Sequence, residues 1–135
     1  MDTTIEVVGA ILHRDEQIFA ARRNPDRSAG GLWEFPGGKI SPGESPTDAL
    51  RRELHEELAI TVSVGELAGR ATTQVGHAMI DLACYWASLD GPEPATSTDH
   101  DAMGWFAIPD LLGLTWSPAD VPVLRVIEER FDRPL

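Results

Sequence analysis

The sequence predicts an α/β fold, a sandwich of helices around a mixed β-sheet, and three observations carry that expectation. Its 135 residues, 42% hydrophobic and 24% charged, suit a single domain spanning 1–135 with one core. Runs rich in β-branched residues, such as IEVVGAIL near the start and the alternating stretch Met79–Leu89, read as strands, whereas two segments opened by Ser-Pro read as helices. The two kinds of element mix without a regular βαβ alternation, which favours a mixed sheet over a Rossmann arrangement.

Ile5–Leu12 and Ile18–Arg22 flank the polar HRDEQ and predict a hairpin with His13 in its turn. Asn24–Gly31, with Pro, Asp, Ser and Gly, reads as a loop; LWEF follows as a short strand and Pro36-Gly37-Gly38 as a break. At Ser45 the pattern becomes helical. Ser45 is a natural N-cap, Pro46 suits the first helical position, and Asp48 stands near the place of a capping-box acid. Leu50, Leu54 and Leu58 form the buried stripe of this helix. Thr61–Gln74 and Met79–Leu89 read as strands, the second with Ile80, Leu82, Cys84 and Trp86 on one apolar face. Gly91–Thr98 reads as a surface loop, Met103–Ile108 as a last strand, and Pro109–Leu112 as a helical turn. SPAD at 117–120 starts a final helix packed through Val123, Leu124, Ile127 and Phe131.

Eleven Lys and Arg against 22 Asp and Glu give a net charge of −11, which excludes a general binder of nucleic-acid polymers or anionic membranes. The single cysteine, Cys84, allows neither an internal disulfide nor a multi-cysteine zinc site, so a cytoplasmic setting is expected and Cys84 reads as an inert core residue. The first residues carry no signal-peptide pattern, and no apolar run is long enough to span a membrane.

At about 100° per residue, Glu53, Glu56 and Glu57 fall on one arc beside the leucine stripe. Like charges at this spacing repel, and a hard divalent cation such as Mg²⁺ would relieve them. On the acids alone, a solvated acidic face is the simpler account.

The flanking residues add a motif. Gly38–Ile60 resembles the Nudix box: Gly38, Glu44, Arg52, Glu53, Leu54, Glu56, Glu57 and Ile60 all match at the required spacing. One position departs, Ala59 standing where the family has the glycine that ends the helix, and a left-handed turn there costs a Cβ-bearing residue roughly 1 kcal/mol or more. The resemblance extends to the MutT-like nucleoside triphosphate pyrophosphohydrolases through Arg22-Arg23, LWEFPGGK, an acid six residues before Trp105, and PAD at 118–120. It implies the Nudix α/β/α sandwich, Mg²⁺ (with Mn²⁺ as a substitute), and attack by water on a triphosphate to release nucleoside monophosphate and pyrophosphate, as in nucleotide-pool sanitation. It also implies a monomer or a homodimer.

What the resemblance implies for single residues is specific. Glu53, Glu56 and Glu57 are the metal ligands and catalytic acids, with Glu53 orienting or deprotonating the water, and the Gly37 carbonyl is a further ligand. Glu44 and Arg52 support the ligands, Arg52 being equally an ordinary partner of Glu56 four residues on. Asp99 takes the place of a family Glu that adds a metal contact or serves as base, or is a plain loop acid; His100 is an inert loop residue or reaches substrate. Arg23, Gly38 and Lys39 meet phosphate, with His77 the nearest basic group where some relatives have a later Arg. Phe35 and Trp33 stack on the base or are simply core. Asp120 either caps the last helix or reads the base, and a carboxylate, which only accepts, suits an amine such as cytosine N4. On these grounds the chain is similar to the CTP and 5-methyl-dCTP pyrophosphohydrolases. The alternatives are an 8-oxo-dGTP diphosphatase and a silent Nudix domain that senses nucleotides.

Overall fold

A computed structural model describes residues 3–27, 30–94, 97 and 99–130, and the backbone of 131–132. Parts of the two expected loops, at 28–29 and at 95, 96 and 98, and the Phe131 side chain lie outside the described residues. The elements run β1 (Thr3–Arg14), β2 (Gln17–Arg23), β3 (Trp33–Glu34), β4 (Gly37–Lys39), α1 (Pro46–Leu58), β5 (Val62–Val75), β6 (Ala78–Leu89), β7 (His100–Ala107), α2 (Ile108–Leu112), a 3₁₀ turn (Pro118–Asp120) and α3 (Val121–Asp132).

The β-branched opening run forms the central strand. β1 pairs in parallel with β6 along ten residues, while its far end turns back antiparallel into β2 and its middle takes β4 through Val7–Gly9. β5 pairs with β6, and β3 and β7 pair with β2, giving the path β3-β2-β1-β6-β5. The parallel β1–β6 pair among antiparallel neighbours is what makes the sheet mixed, as expected.

Strand alternation sorts the side chains into two cores. Val8, Ala10 and Leu12 of β1 join Leu50, Leu54 and Leu58 of α1 on one face. Ile11 joins Leu82 and Cys84 of β6 and Val123, Leu124 and Ile127 of α3 on the other. The three α1 leucines are at most 1% exposed, and each contributes roughly 2 kcal/mol by leaving water. The result is an α/β/α sandwich.

Several local expectations need correcting. The hairpin turn is the two residues Asp15 and Glu16, both at positive φ as the twist of a tight hairpin requires, so His13 belongs to β1, where its ring meets Trp86 edge-on. β3 is two residues long and leaves Phe35 outside it, while the glycines expected as a break pair with β1 as β4. Gly37 is required there because a Cβ would collide with the Val8 carbonyl. Ser45 caps α1 by accepting the Asp48 N–H at 3.2 Å, but the Asp48 carboxylate turns to Arg51. Ala59 ends the helix in the left-handed conformation at φ 55°, the place where the motif has glycine.

Candidate active site

The exposed side of α1 carries a hub centred on Arg52. Its guanidinium donates to both oxygens of Glu44 at 2.7 and 2.9 Å, to Glu53 at 3.0 Å and to Glu56 at 3.2 Å, and to the Lys39 carbonyl at 3.1 Å. Arg52 and the Ser41 N–H together hold the Glu44 carboxyl down at about 2. One arginine thereby ties α1 to the loop after β4 while also making the expected i,i+4 pair with Glu56. Gly38 is the reason Glu53 fits: a Cβ at Gly38 would lie 2.3 Å from the Glu53 carboxyl carbon.

Glu57, one residue beyond Glu56, is far less exposed, 10% against 60% for the side chain. Burial pushes its carboxyl up to about 7; His100 pulls it down, and Glu34, Asp99 and Glu53 push it further up. His100 Nδ1 lies 3.2 Å from Glu57 Oε1 and 2.8 Å from Ser97 Oγ, while Nε2 lies 2.8 Å from Glu34 Oε2. Glu34 also accepts from Arg23 at 3.3 Å. Glu34, Glu57 and His100 bring one ligating atom each within 4.8 Å of one another, a trio that does not include Glu53 and Glu56.

Beside these acids opens a cleft of about 250 Å³, lined among others by Arg23, Phe35, Gly37, Gly38, Lys39, Ile80, Leu82 and Asp120. Its far wall is set by the Trp116 segment. The Trp33 N–H donates to the Thr115 carbonyl and the Ser117 N–H to the Trp33 carbonyl, so the 3₁₀ turn that follows delivers Asp120 to the end of β3. There Asp120 Oδ1 accepts the Phe35 N–H at 3.2 Å. Burial pushes the Asp120 carboxyl up to about 8, against the pull of the Phe35 N–H and Ser117 and with a further push from Glu34.

Burial favours the protonated form of Asp120, which donates through its hydroxyl and accepts through its carbonyl, whereas the carboxylate only accepts. Asp120 is also no simple N-cap, since it lies inside the 3₁₀ turn with its side chain on Phe35.

A NUDIX domain model matches residues 3–127. The chain belongs to the Nudix hydrolases. It is 40% identical over 120 residues to a CTP pyrophosphohydrolase of Escherichia coli K12, covering 89% of this chain and 88% of the relative. It is 37% identical over 117 residues to a putative 8-oxo-dGTP diphosphatase 2 of Mycobacterium tuberculosis H37Rv, covering 86% of this chain and 82% of the relative. The crystal structure of a MutT protein from Methanosarcina mazei superposes with a TM-score of 0.87, covering 98% of both chains at 22% identity, which speaks for the fold.

A divalent cation, general in the Nudix family, suits the donor set. Glu57 is a half-buried carboxyl raised by its surroundings, with three further acids adding to the negative field, which is the electrostatic state a hard cation relieves. Two glycines leave room here by lacking side chains: Gly37 is pressed on β1 and Gly38 on Glu53.

The other expected site residues distribute unevenly. Arg23 and Lys39 line the cleft, Arg23 already engaged by Glu34. Phe35 lines it too, although its ring also packs on Trp116 at 4.7 Å between centroids. Trp33 does not line the cleft; it packs edge-on against Phe106. The Asp99 carboxylate pairs with Arg27 at 3.1 Å near the surface, though close enough to act on Glu57. His100, expected in an exposed loop, has a fully buried side chain. His77 is exposed in the β5–β6 turn. Sequence reasoning missed Glu34, Ser97 and Trp116. The signal for Glu34 was available, because an acid between the aromatics of LWEF needs a partner once the strand is buried.

Proposed function

We propose that this Nudix hydrolase uses Mg²⁺, with Mn²⁺ as a substitute, to hydrolyse nucleoside triphosphates to monophosphate and pyrophosphate, with CTP, dCTP and 5-methyl-dCTP as the leading substrates. The carrying observation is the cluster of Glu34, Glu57 and His100, whose Glu34 lines a cleft that also bears Asp120. Phosphates and base thereby meet opposite ends of one site.

When bound, the cation neutralises phosphate oxygens and polarises phosphorus toward attack. Glu53, Glu56, Glu57 and the Gly37 carbonyl would hold it. Arg23 and Lys39, at the cleft, meet the remaining phosphate charge. Glu53 orients the water and takes its proton as the water oxygen bonds to phosphorus and the anhydride oxygen departs with pyrophosphate. Asp99 adds negative field beside the acids. Gly38, by lacking a side chain, keeps both Glu53 and the phosphate path clear.

At the base end, the Asp120 acid offers a hydroxyl donor and a carbonyl acceptor. Cytosine presents the complement, an N3 acceptor beside the N4 amine. Phe35 and the apolar Ile80 and Leu82 flank the ring. The 40% identity to a CTP pyrophosphohydrolase supports putting cytidine nucleotides first. The same donor–acceptor pair also fits the O6 and N7–H edge of an oxidised guanine, which favours 8-oxo-dGTP as the second reading, in line with the 37% identical relative.

The test is pyrophosphate release with Mg²⁺ from a panel of canonical and modified triphosphates, expressed as kcat/KM ratios. Cytidine nucleotides are expected to lead. An 8-oxo-dGTP ratio tenfold higher would establish the second reading, and binding without turnover would leave a nucleotide sensor.

A further inference from the structure

We propose that His100 is a positioning residue for the acid cluster, an imidazole sealed beneath the cleft that fixes Glu57 through one ring nitrogen and Glu34 through the other. The inference rests on the reading above that Glu57 is a metal ligand.

The backbone shows how His100 comes to face α1. Along β7, Met103 and Trp105 pack on the α1 side, while Phe106 packs on the opposite side. Strict alternation would place Asp101 with Met103 and turn His100 away from α1. The register breaks at this point: Arg22 pairs with Ala102 but Arg23 with His100, so Asp101 is an extra residue. Asp101 swings out to a two-pronged pair with Arg22 at 2.8 and 3.1 Å, and His100 swings in toward Glu57. Glu34 reaches the same side because its strand partner, Ala21, belongs to the α1-facing core.

The consequence is a closed strut. His100 spans from Glu57 on α1 to Glu34 on β3, with Ser97 on Nδ1 and Arg23 on the far side of Glu34. His100 Nδ1 stands 3.2 Å from Oε1 of Glu57, so the sealed ring limits how that carboxyl can turn. A carboxylate held in one orientation by a buried neighbour binds metal better than one that rotates, and losing such a neighbour costs roughly 10- to 100-fold in metal affinity. His100, with no exposed side-chain surface, acts through Glu57 and Glu34 and does not touch the nucleotide.

The experiment titrates Mn²⁺ alone into the ligand-free full chain and into His100→Ala, His100→Gln, Glu57→Gln and the His100→Ala/Glu57→Gln double variant, with melting curves to establish folding. The expected result is an affinity loss of roughly 10- to 100-fold in His100→Ala, and a double variant no weaker than Glu57→Gln alone. In turnover, kcat should fall with the nucleotide KM little changed. If His100→Ala does not fold, His100→Gln, which keeps a donor for one acid, carries the same test with a smaller loss. Unchanged or tighter Mn²⁺ binding in a folded His100 variant would overturn the inference, as would the full loss recurring in the Glu57→Gln background. A Glu57→Gln chain that binds Mn²⁺ like the wild type would instead remove the metal assignment of Glu57 itself.

Discussion

Glu44 and Asp120 are both carboxyls that accept a backbone N–H, yet one is held at about 2 and the other is pushed to about 8. Glu44 has an arginine; Asp120 has burial and a nearby acid. The contrast divides the site into two kinds of acid. Around Arg52, the carboxylates of Glu44, Glu53 and Glu56 share one guanidinium, and Glu44 through it holds α1 against the loop after β4. Beneath the cleft, Glu57 and Asp120 are short of positive charge, so their state responds to whatever enters. Glu44, fully satisfied, is structural, whereas Glu57 and Asp120 are the acids the fold leaves in deficit.

Removing a deficit acid should do the most damage to function. Glu57→Gln is expected to lower turnover by orders of magnitude while the melting curve keeps its cooperative form; near-normal rates would dissolve the contrast at once. Next comes the hub. Arg52→Lys keeps the charge but cannot contact three acids through one planar fork, so kcat/KM should fall about 10- to 100-fold, read by steady-state kinetics with saturating Mg²⁺.

Asp120 sharpens the comparison through pH. Its carboxyl is raised in the folded state, so the ligand-free fold holds a proton that the unfolded chain releases. Its contribution to stability is complete below about 3.8 and is lost as pH rises through about 8. Asp120→Asn keeps a donor and an acceptor but cannot titrate. The melting temperature of the wild type should therefore fall relative to that of the variant between pH 5 and 8, and the ranking of triphosphates near pH 7 should change little. A parallel pH dependence in the two chains would mean that Asp120 is ionised throughout. The smallest effect is expected at Ala59→Gly, which relieves a left-handed alanine and should stabilise by about 1 kcal/mol in denaturant titration without touching kcat.

The fold was largely legible because its signals are local and redundant. Ser45, Pro46 and the leucine stripe define α1 together, and alternation alone placed Ile80, Leu82, Cys84 and Trp86 on one face. β4 was not legible, since glycines carry no strand preference and Gly37–Lys39 becomes a strand only by pairing with Val7–Gly9. At the site, motif spacing located the acids, but not which of them face inward. The position of His100 depends on a one-residue bulge, and the charge state of Asp120 on burial by the Trp116 segment; both are tertiary facts. Trp33, which the sequence left as a base-stacking or a core residue, packs edge-on against Phe106 in the core.

The long parallel pairing of β1 with β6 also dictates a timetable. Every partner of β1 in that ladder lies 75 residues downstream, as Thr3 with Ala78, and Gln17 of β2 waits still longer for Ala107. The β1–β2 hairpin therefore has both outer edges open until most of the chain after it has followed. Such distant closure makes folding slow and leaves apolar strand edges exposed meanwhile. The nascent chain is thus most vulnerable to aggregation before β6 emerges, when the strand destined for the centre of the sheet is still an edge.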